Sequence, residues 1–481
     1  MNHSIIRYII GWVIFLEGIF MSLPVMTALI YREKQGYAFF LIGALCILAG
    51  KLIILRKPKN QTYFAREGFV IVALSWIVMS AIGGIPFMLT KEIPNFVDAM
   101  FETASGFTTT GASILTDVEA LSHASLMWRS FTHWIGGMGV FVFLLAILPL
   151  AGGYNMHLMR AESPGPIVGK LVPRVKDTAK ILYLIYFGMT IIEFILLLFA
   201  KMPVFDALCT TFGTAGTGGF GIKNDSIGGY SSLIQVIVTV FMILFGINFN
   251  AYYVLILGKN KKSILKMEEV RWYLIIICLA ILAITVNILP FFERQTDALR
   301  HAAFQVGSII TTTGFSTVDF NRWPQLSRVI LVMLMICGAC AGSTGGGLKV
   351  SRLIVLVKSV KKELGHFIHP RGVKIIKMDG KALERTTVHG ISSFLILYVF
   401  IFMGSILFVA FDNLDMTTTF TAVAATFNNI GPGLNIVGPT GNFSSLTYLS
   451  KSVLIFDMLA GRLELYPILI LFIPSVWKKN C

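Results

Sequence analysis

Apolar runs of bilayer-spanning length alternate along this chain with short polar stretches. A helix crossing the hydrocarbon layer needs about 20 mostly apolar residues. Ten segments qualify, near residues 5–30, 36–55, 68–89, 124–150, 180–200, 231–257, 272–292, 326–358, 388–411 and 446–476. The eighth and tenth are the least regular. The first is too long for a signal-peptide core and has no convincing small-residue cleavage site behind it, so it reads as a retained span.

A shorter pattern lies over this one. Four times an apolar segment too short to cross a bilayer, at 95–107, 204–215, 299–310 and 417–427, runs into a Thr- and Gly-rich stretch. The stretches read TTTGAS from Thr108, GTGGFG from Gly216, TTTGFS from Thr311 and NNIGPG from Asn428. Aligned, they bring Gly111, Gly219, Gly314 and Gly431 into register, roughly 100 residues apart, which marks an internal repeat. Asp98-Ala99 and Asp206-Ala207 stand at nearly the same offset before the first two glycines; Ala302 keeps that register in the third copy, although Asp297 lies further upstream.

Short segments of this kind read as re-entrant half-helices that enter the membrane and return as extended chain, tolerable only where protein or water surrounds the backbone. The predicted fold is therefore an all-α integral membrane protein. Two leading transmembrane helices occupy 1–66, and four helix, half-helix, filter strand, helix units follow at 67–175, 176–268, 269–385 and 386–481. Units of one orientation around an axis along the membrane normal form a pore, whereas inverted repeats suggest alternating-access carriers. Glycine lets several consecutive carbonyls turn toward one axis. Four such backbones make a ring of oxygens able to replace the water around a cation. Each half-helix directs its partially negative C-terminal end inward, which favours a cation and repels an anion. Carbonyl ligation suits a large, weakly hydrated monovalent ion, with potassium the natural candidate.

Composition agrees with the pattern, since 55% of residues are hydrophobic and 14% charged. The net charge of +15 suggests an acidic partner until its location is considered. Most of the 40 Lys and Arg fall at 56–67, 160–180, 259–271, 349–385 and 478–479. All five segments share one side if ten helices alternate from a cytoplasmic N-terminus, which also puts the C-terminus in the cytoplasm. That is the usual excess of positive charge in cytoplasmic loops; it needs no nucleic acid, and it turns the filters outward. The six cysteines show no pairing pattern, and the CxxC of Cys337 and Cys340 has no second ligand pair nearby. No Walker A sequence, dinucleotide fingerprint or zinc motif is present, so nothing argues for an enzyme.

The four filter motifs, FTTTGAS from Phe107, AGTGGF from Ala215, SIITTTGFS from Ser308 and NNIGPG from Asn428, resemble those of the Trk, Ktr and HKT cation transporters. The chain is most similar to the membrane subunit of the bacterial Trk potassium uptake system, over essentially its whole length. The resemblance implies potassium-binding carbonyls at Thr109, Thr110, Gly111, Thr217, Gly218, Gly219, Thr312, Thr313, Gly314, Asn429, Ile430 and Gly431. Sodium-preferring relatives carry serine in place of the first-repeat glycine, so Gly111 implies potassium preference.

The resemblance also implies a gate at 338–347, GACAGSTGGG, with Gly338, Gly342, Ser343, Thr344, Gly345, Gly346 and Gly347 as its flexible residues. So glycine-rich a run cannot propagate a stable helix, and Ser343 and Thr344 can hydrogen-bond in several ways; the alternative is close helix packing through small residues. Arg462 in AGRLELYP is the second inherited feature. Beneath the filter its charge would weaken potassium dwell; otherwise it pairs with Glu464 or Asp457, or sits at the cytoplasmic interface.

By the same resemblance the protein is a homodimer in the bacterial inner membrane. It docks on a cytosolic ring of Rossmann-type subunits that bind NAD or ATP, and this chain itself carries no cofactor. The basic stretch from Lys349 to Arg385 is then a contact surface, or else only sets topology and touches anionic lipid. The expected function is potassium uptake through a selective, gated pore. The alternative is a carrier coupling potassium entry to protons or sodium, for which the spans offer few carboxylates, chiefly Glu17, Asp457 and Glu464. Among lesser candidates, Lys451 is expected to snorkel outward and His123 and His133 to sit at the interface. Gly136, Gly137 and Gly139 point to tight packing, and Asn248 and Asn250 either line the cavity or bond between helices.

Overall fold

The structure is a computed structural model that describes residues 1–58, 64–139, 175–257, 264, 266–372 and 374–477. The chain starts with α1 (His3–Phe20), α2 (Ser22–Tyr31) and α3 (Gly36–Leu55). A first set of helices follows as α4 (Ala65–Leu89), α5 (Phe96–Phe107) and α6 (His123–Met138), and a second as α7 (Val175–Phe199), α8 (Val204–Gly216), α9 (Ser232–Phe245) and α10 (Phe249–Leu257). The third set is α11 (Glu268–Ile288), α12 (Gln295–Ile310), α13 (Gln325–Cys337) and α14 (Val350–Ile368). A small antiparallel hairpin of β1 (Lys377–Met378) and β2 (Lys381–Ala382) then leads to the fourth set, α15 (Arg385–Val409), α16 (Met416–Phe427), α17 (Tyr448–Arg462) and α18 (Tyr466–Ile470), with α19 (Pro474–Trp477) last.

Among the described residues six continuous stretches are long and apolar enough to cross a bilayer, namely His3–Tyr31, Gly36–Leu55, Ala65–Leu89, Lys180–Phe199, Glu268–Phe291 and Arg385–Asp412. The other four of the ten predicted spans are not continuous as described, and each supplies the inner helix of its set. α6 stops at Gly139, whose φ is 78°, and the rest of the 124–150 segment lies outside the described residues. The 231–257 segment bends by 93° between α9 and α10. The 326–358 segment is opened by a non-helical stretch between α13 and α14, and the 446–476 segment turns at Glu464 and Leu465, both at positive φ. A hydropathy average over about 20 residues hides such short breaks, because the apolar helices on either side outweigh the few residues that interrupt them. The basic segments at 160–174 and 478–479, and parts of those at 56–67 and 259–271, also lie outside the described residues.

α5, α8, α12 and α16 have 12, 13, 16 and 12 residues, so at 1.5 Å per residue they fall short of a hydrocarbon layer about 30 Å thick. Polar caps start several of them. Asn95 Oδ1 accepts the Val97 amide at 2.8 Å and Asp415 Oδ1 accepts the Thr418 amide at 2.9 Å. Ser122, Ser231 and Thr447 cap α6, α9 and α17 in the same manner, each satisfying a donor that would otherwise be orphaned at a helix start.

The packing order is cyclic. The inner helix of each set lies on the short helix of the next: α6 on α8, α9 on α12, α13 on α16, and α17 back on α5. The leading helices wrap outside this ring, with α1 against α3 and α4. Small residues bring α1 and α3 close, since a side-chain carbon on Gly18 would lie 2.6 Å from the Gly43 carbonyl oxygen. The largest buried cluster runs from the leading helices through Trp76, Phe101, Phe107 and Trp128 to Phe427 and Met458. It joins the first and fourth sets, which are the most distant in sequence.

Candidate functional site: a closed ring of four backbone ribbons

Each short helix ends in the same two-bond cap. The residue after the helix's last full turn is left-handed, Thr109, Thr217, Thr312 or Asn429, with φ between 54° and 59°. Its amide donates three residues back, to Gly106, Thr214, Ile309 or Thr426, and the next amide donates five residues back, to Ser105, Gly213, Ser308 or Ala425, at 2.8 Å in all four cases. This is the Schellman arrangement, usually closed by glycine. Two residues on, Gly111, Gly219, Gly314 and Gly431 again have positive φ, from 77° to 99°. Alternating the sign of φ turns successive peptide planes back on themselves, the backbone condition for carbonyls to share one side.

The four ribbons meet in chain order. A side-chain carbon on Gly111 would overlap the carbonyl oxygen of Gly218, one on Gly219 that of Thr313, and one on Gly314 that of Ile430. One on Gly431 would lie 2.8 Å from the carbonyl oxygen of Thr110, which closes the ring. Glycine is required here twice over, for the sign of φ and for the approach of the next ribbon. Thr110, Gly218, Thr313 and Ile430 are buried, while Gly111, Gly219 and Gly314 are partly open.

Side chains brace the ribbons. Thr108 and Thr110 share a 2.8 Å hydroxyl contact, and Thr311 and Thr313 repeat it. In the fourth ribbon amides take over: Asn428 donates to Ala424 O at 2.9 Å and accepts from the Tyr398 hydroxyl at 3.0 Å. Among the described residues no three His, Cys, Asp or Glu side chains form a metal-binding group. The oxygens against the four glycines are backbone carbonyls.

Two supports lie outside the sequence-predicted site residues. His133 is fully buried rather than interfacial, a correction to the expectation for it. Its Nδ1 lies 2.8 Å from Gly106 O and its Nε2 accepts the Phe220 amide at 3.2 Å, so these partners select the neutral Nδ1–H tautomer. The ring fills the space beside Gly218. Glu102 and Arg129 form a buried ion pair at 2.8 Å, and Glu102 also accepts the Ser113 hydroxyl and the Ile114 amide, both at 3.0 Å. Arg129 reaches Gly221 O at 3.3 Å and stacks 4.0 Å over Phe220. The pair thus joins the exits of the first and second ribbons. Its only sequence signal was an acid and a base inside apolar segments.

The 338–347 run lies directly against the ring. The Gly346 amide donates to Thr312 Oγ1 at 2.6 Å, and a side-chain carbon on Gly345 would sit 2.8 Å from Thr311 O. Gly338, Gly342 and Gly347 all have positive φ, and Gly338 and Gly347 pack on one another. Thr344 Oγ1 donates to Phe245 O at 3.3 Å, Ser343 Oγ donates to Cys340 O at 2.6 Å, and Gly342 O accepts the Phe249 amide at 2.9 Å. The loop therefore rests in the 93° bend of α9 and α10. Asn248 Oδ1 caps α10 through the Asn250 amide at 2.9 Å within that bend.

Arg462 stands beside the loop. Its guanidinium donates to Thr344 O and Gly137 O, both at 2.8 Å, and also to Gly136 O. Glu464 pairs with Arg352, and Asp457 accepts the Ser405 hydroxyl at 2.6 Å. Two residues of the basic stretch are therefore turned inward: Arg352, and Lys349, whose ammonium donates to Gly345 O. Gly136 and Gly137 pack tightly as expected, with Gly137 against Gly216 and Tyr186. Lys451 does not snorkel. It is 4% exposed and pairs with Asp98 at 2.7 Å, because the start of α5 brings a carboxylate to it.

Residues 35–479 match the model of the TrkH family, described as cation transport proteins. The chain is 38% identical to the Trk system potassium uptake protein TrkH of Salmonella typhimurium, and 38% identical to that of Escherichia coli K12, with all of both chains covered in each case. Its fold superposes on the crystal structure of the potassium transporter TrkH from Vibrio parahaemolyticus with a TM-score of 0.89 and 34% identity, covering 99% of this chain and 100% of the other.

Proposed function

The chain belongs to the TrkH family of cation transport proteins, and from that premise we propose that it takes up potassium through the ring of ribbons, which acts as a selectivity filter inside a gated, channel-like pore. The observation that carries this reading is the closed cyclic order in which Gly111 lies on Gly218, Gly219 on Thr313, Gly314 on Ile430 and Gly431 on Thr110. Units at 67–175, 176–268, 269–385 and 386–481 each supply one quarter of that ring. Carbonyls of Thr109, Thr110, Thr217, Gly218, Thr312, Thr313, Asn429, Ile430 and the four glycines replace the hydration shell of the ion. The C-terminal ends of α5, α8, α12 and α16 add partial negative charge at the same place. A negative-inside membrane potential supplies about 2.3 kcal/mol per charge per 100 mV, enough to drive inward flux without nucleotide chemistry in this chain.

The 338–347 loop, held against Thr312, is the gate, and Arg462 fixes it from the fourth unit. Regulation comes from a cytosolic nucleotide-binding ring docked on a homodimer in the bacterial inner membrane, with both termini cytoplasmic. The relatives' shared designation as parts of a Trk system supports the existence of a partner subunit. Purified protein in liposomes tests the pore. Potassium currents should reverse at the potassium Nernst potential at every sodium concentration and pH. A fixed stoichiometry with protons or sodium would replace the pore by a coupled carrier.

A further inference from the structure

One carboxylate closes the glycine loop at both ends. Glu269, in the first turn of α11, is 7% exposed. Its Oε1 accepts the Ala341 amide at 2.6 Å and the Ser351 amide at 3.2 Å. Ala341 immediately precedes the Gly342–Gly347 part of the loop, and Ser351 lies in the first turn of α14, just past the left-handed Lys349. A single carboxylate oxygen therefore spans the flexible segment like a clasp. The loop's other fastenings, the neutral bonds to Phe249, Phe245 and Thr312 and the bonds that Gly345 O and Thr344 O accept from Lys349 and Arg462, each hold one point of it, whereas Glu269 joins its two ends.

The neighbouring residue connects the clasp to the cytoplasmic hairpin. The Glu268 amide donates to Asp379 Oδ1 at 2.7 Å, its carboxylate pairs with Lys358, and Lys358 donates to Lys377 O at 2.7 Å. Asp379 and Gly380 form the hairpin turn, at φ of 51° and 78°. Met378 anchors the hairpin in the core while Lys377 and Lys381 are exposed.

We infer that Glu269 is the positioning residue that holds the loop shut, and that displacement of the β1–β2 hairpin reaches it through Glu268. The inference rests on the reading of the loop as a gate. Nothing about the filter itself depends on Glu269, so its loss should free the loop without changing which ion passes.

The test uses full-length protein in liposomes, without any cytosolic subunit, and reads rubidium influx. Glu269→Ala should raise basal influx about tenfold or more, the scale of the two backbone hydrogen bonds it removes, with the rubidium-to-sodium ratio of wild type. Glu269→Gln keeps an acceptor oxygen and should give a smaller rise, of about threefold. A second readout is the loop's own Cys340, buried in the closed structure. With the other cysteines replaced, it should react with a maleimide faster in both variants than in wild type. Where Glu269→Ala fails to fold, Glu269→Gln decides: wild-type influx and labelling would overturn the clasp. A variant lacking Gly345–Gly347 separates the two readings. If that deletion leaks and the Glu269 variants stay closed, the clasp is wrong and the gate stands. If the deletion stays closed, the gate reading falls. Raised influx accompanied by lost ion selectivity also overturns the clasp, because it marks damage to the filter.

Discussion

The side-chain amide of Asn429 donates to the hydroxyl of Thr110 at 2.9 Å, joining the fourth ribbon to the first. The same amide reaches Met458 O at 2.9 Å, so α17 holds the junction from behind. Asn429 is also left-handed, a conformation that asparagine adopts more readily than other side chains. Asn429→Ala should therefore cost twice, by about 1 kcal/mol of backbone strain and by opening the seam at Thr110. We expect potassium over sodium discrimination to fall about tenfold, with Thr110→Val giving a similar fall, and the double variant no further loss because both remove one contact. Competition of sodium with rubidium uptake measures this. Full additivity would show that the two residues act separately.

The four ring glycines should not be equally sensitive. Serine at Gly111, Gly219 or Gly314 would drive its Cβ into the neighbouring carbonyl oxygen, while at Gly431 the nearest oxygen is 2.8 Å away. Left-handed strain of about 1–2 kcal/mol applies at all four. Gly111→Ser should admit sodium by displacing the Gly218 carbonyl, and Gly431→Ser should be the mildest of the set. Permeability ratios in liposomes check the order; unchanged selectivity in Gly111→Ser would remove that glycine from the filter.

Much of this geometry was legible in the chain. The glycines announced themselves by repetition, and the half-helices by being too short to span. What the sequence could not reveal was contact between units. The cyclic order depends on α17 returning to α5, a closure of nearly the whole chain, and no local pattern encodes it. Lys451 and His133 were misjudged for the same reason, because Asp98 and Phe220, which satisfy them, come from other units. The inner-helix break at Gly246–Asn248 was invisible for a different reason, and the one at Leu463–Leu465 showed only as irregularity of the tenth segment. Apolar residues on both sides keep hydropathy high while the backbone turns.

Arg462 should matter through the carbonyls it holds. Its bonds to Thr344, Gly136 and Gly137 connect the loop to the end of α6. Arg462→Ala should raise potassium flux, by loosening the loop and by removing a positive charge below the filter. Arg462→Lys keeps the charge but cannot reproduce the fork of donors. It should therefore restore the electrostatic part alone, with flux between wild type and Arg462→Ala. Equal flux in the two variants would assign the whole effect to the lost hydrogen bonds; wild-type flux in both would take Arg462 out of the gate.

The Glu102–Arg129 pair separates stability from selectivity. Both side chains are essentially excluded from solvent, so removing one partner strands a buried charge at a cost of about 3–5 kcal/mol. Arg129→Met should then unfold in detergent at a clearly lower temperature than wild type. Replacing both, as Glu102→Met with Arg129→Met, removes the stranded charge and should recover most of that loss, since buried pairs are often no better than apolar packing. Selectivity should not recover with it. Glu102 also holds the Ser113 hydroxyl and the Ile114 amide, and Arg129 holds Gly221 O, so the double variant leaves the chain just past Gly111 and Gly219 without its fastening. Thermal unfolding followed alongside rubidium and sodium uptake distinguishes the roles. A double variant restored in both would make the pair a packing element; one stable yet permeable to sodium would make it the strut that keeps the first two ribbons at their spacing.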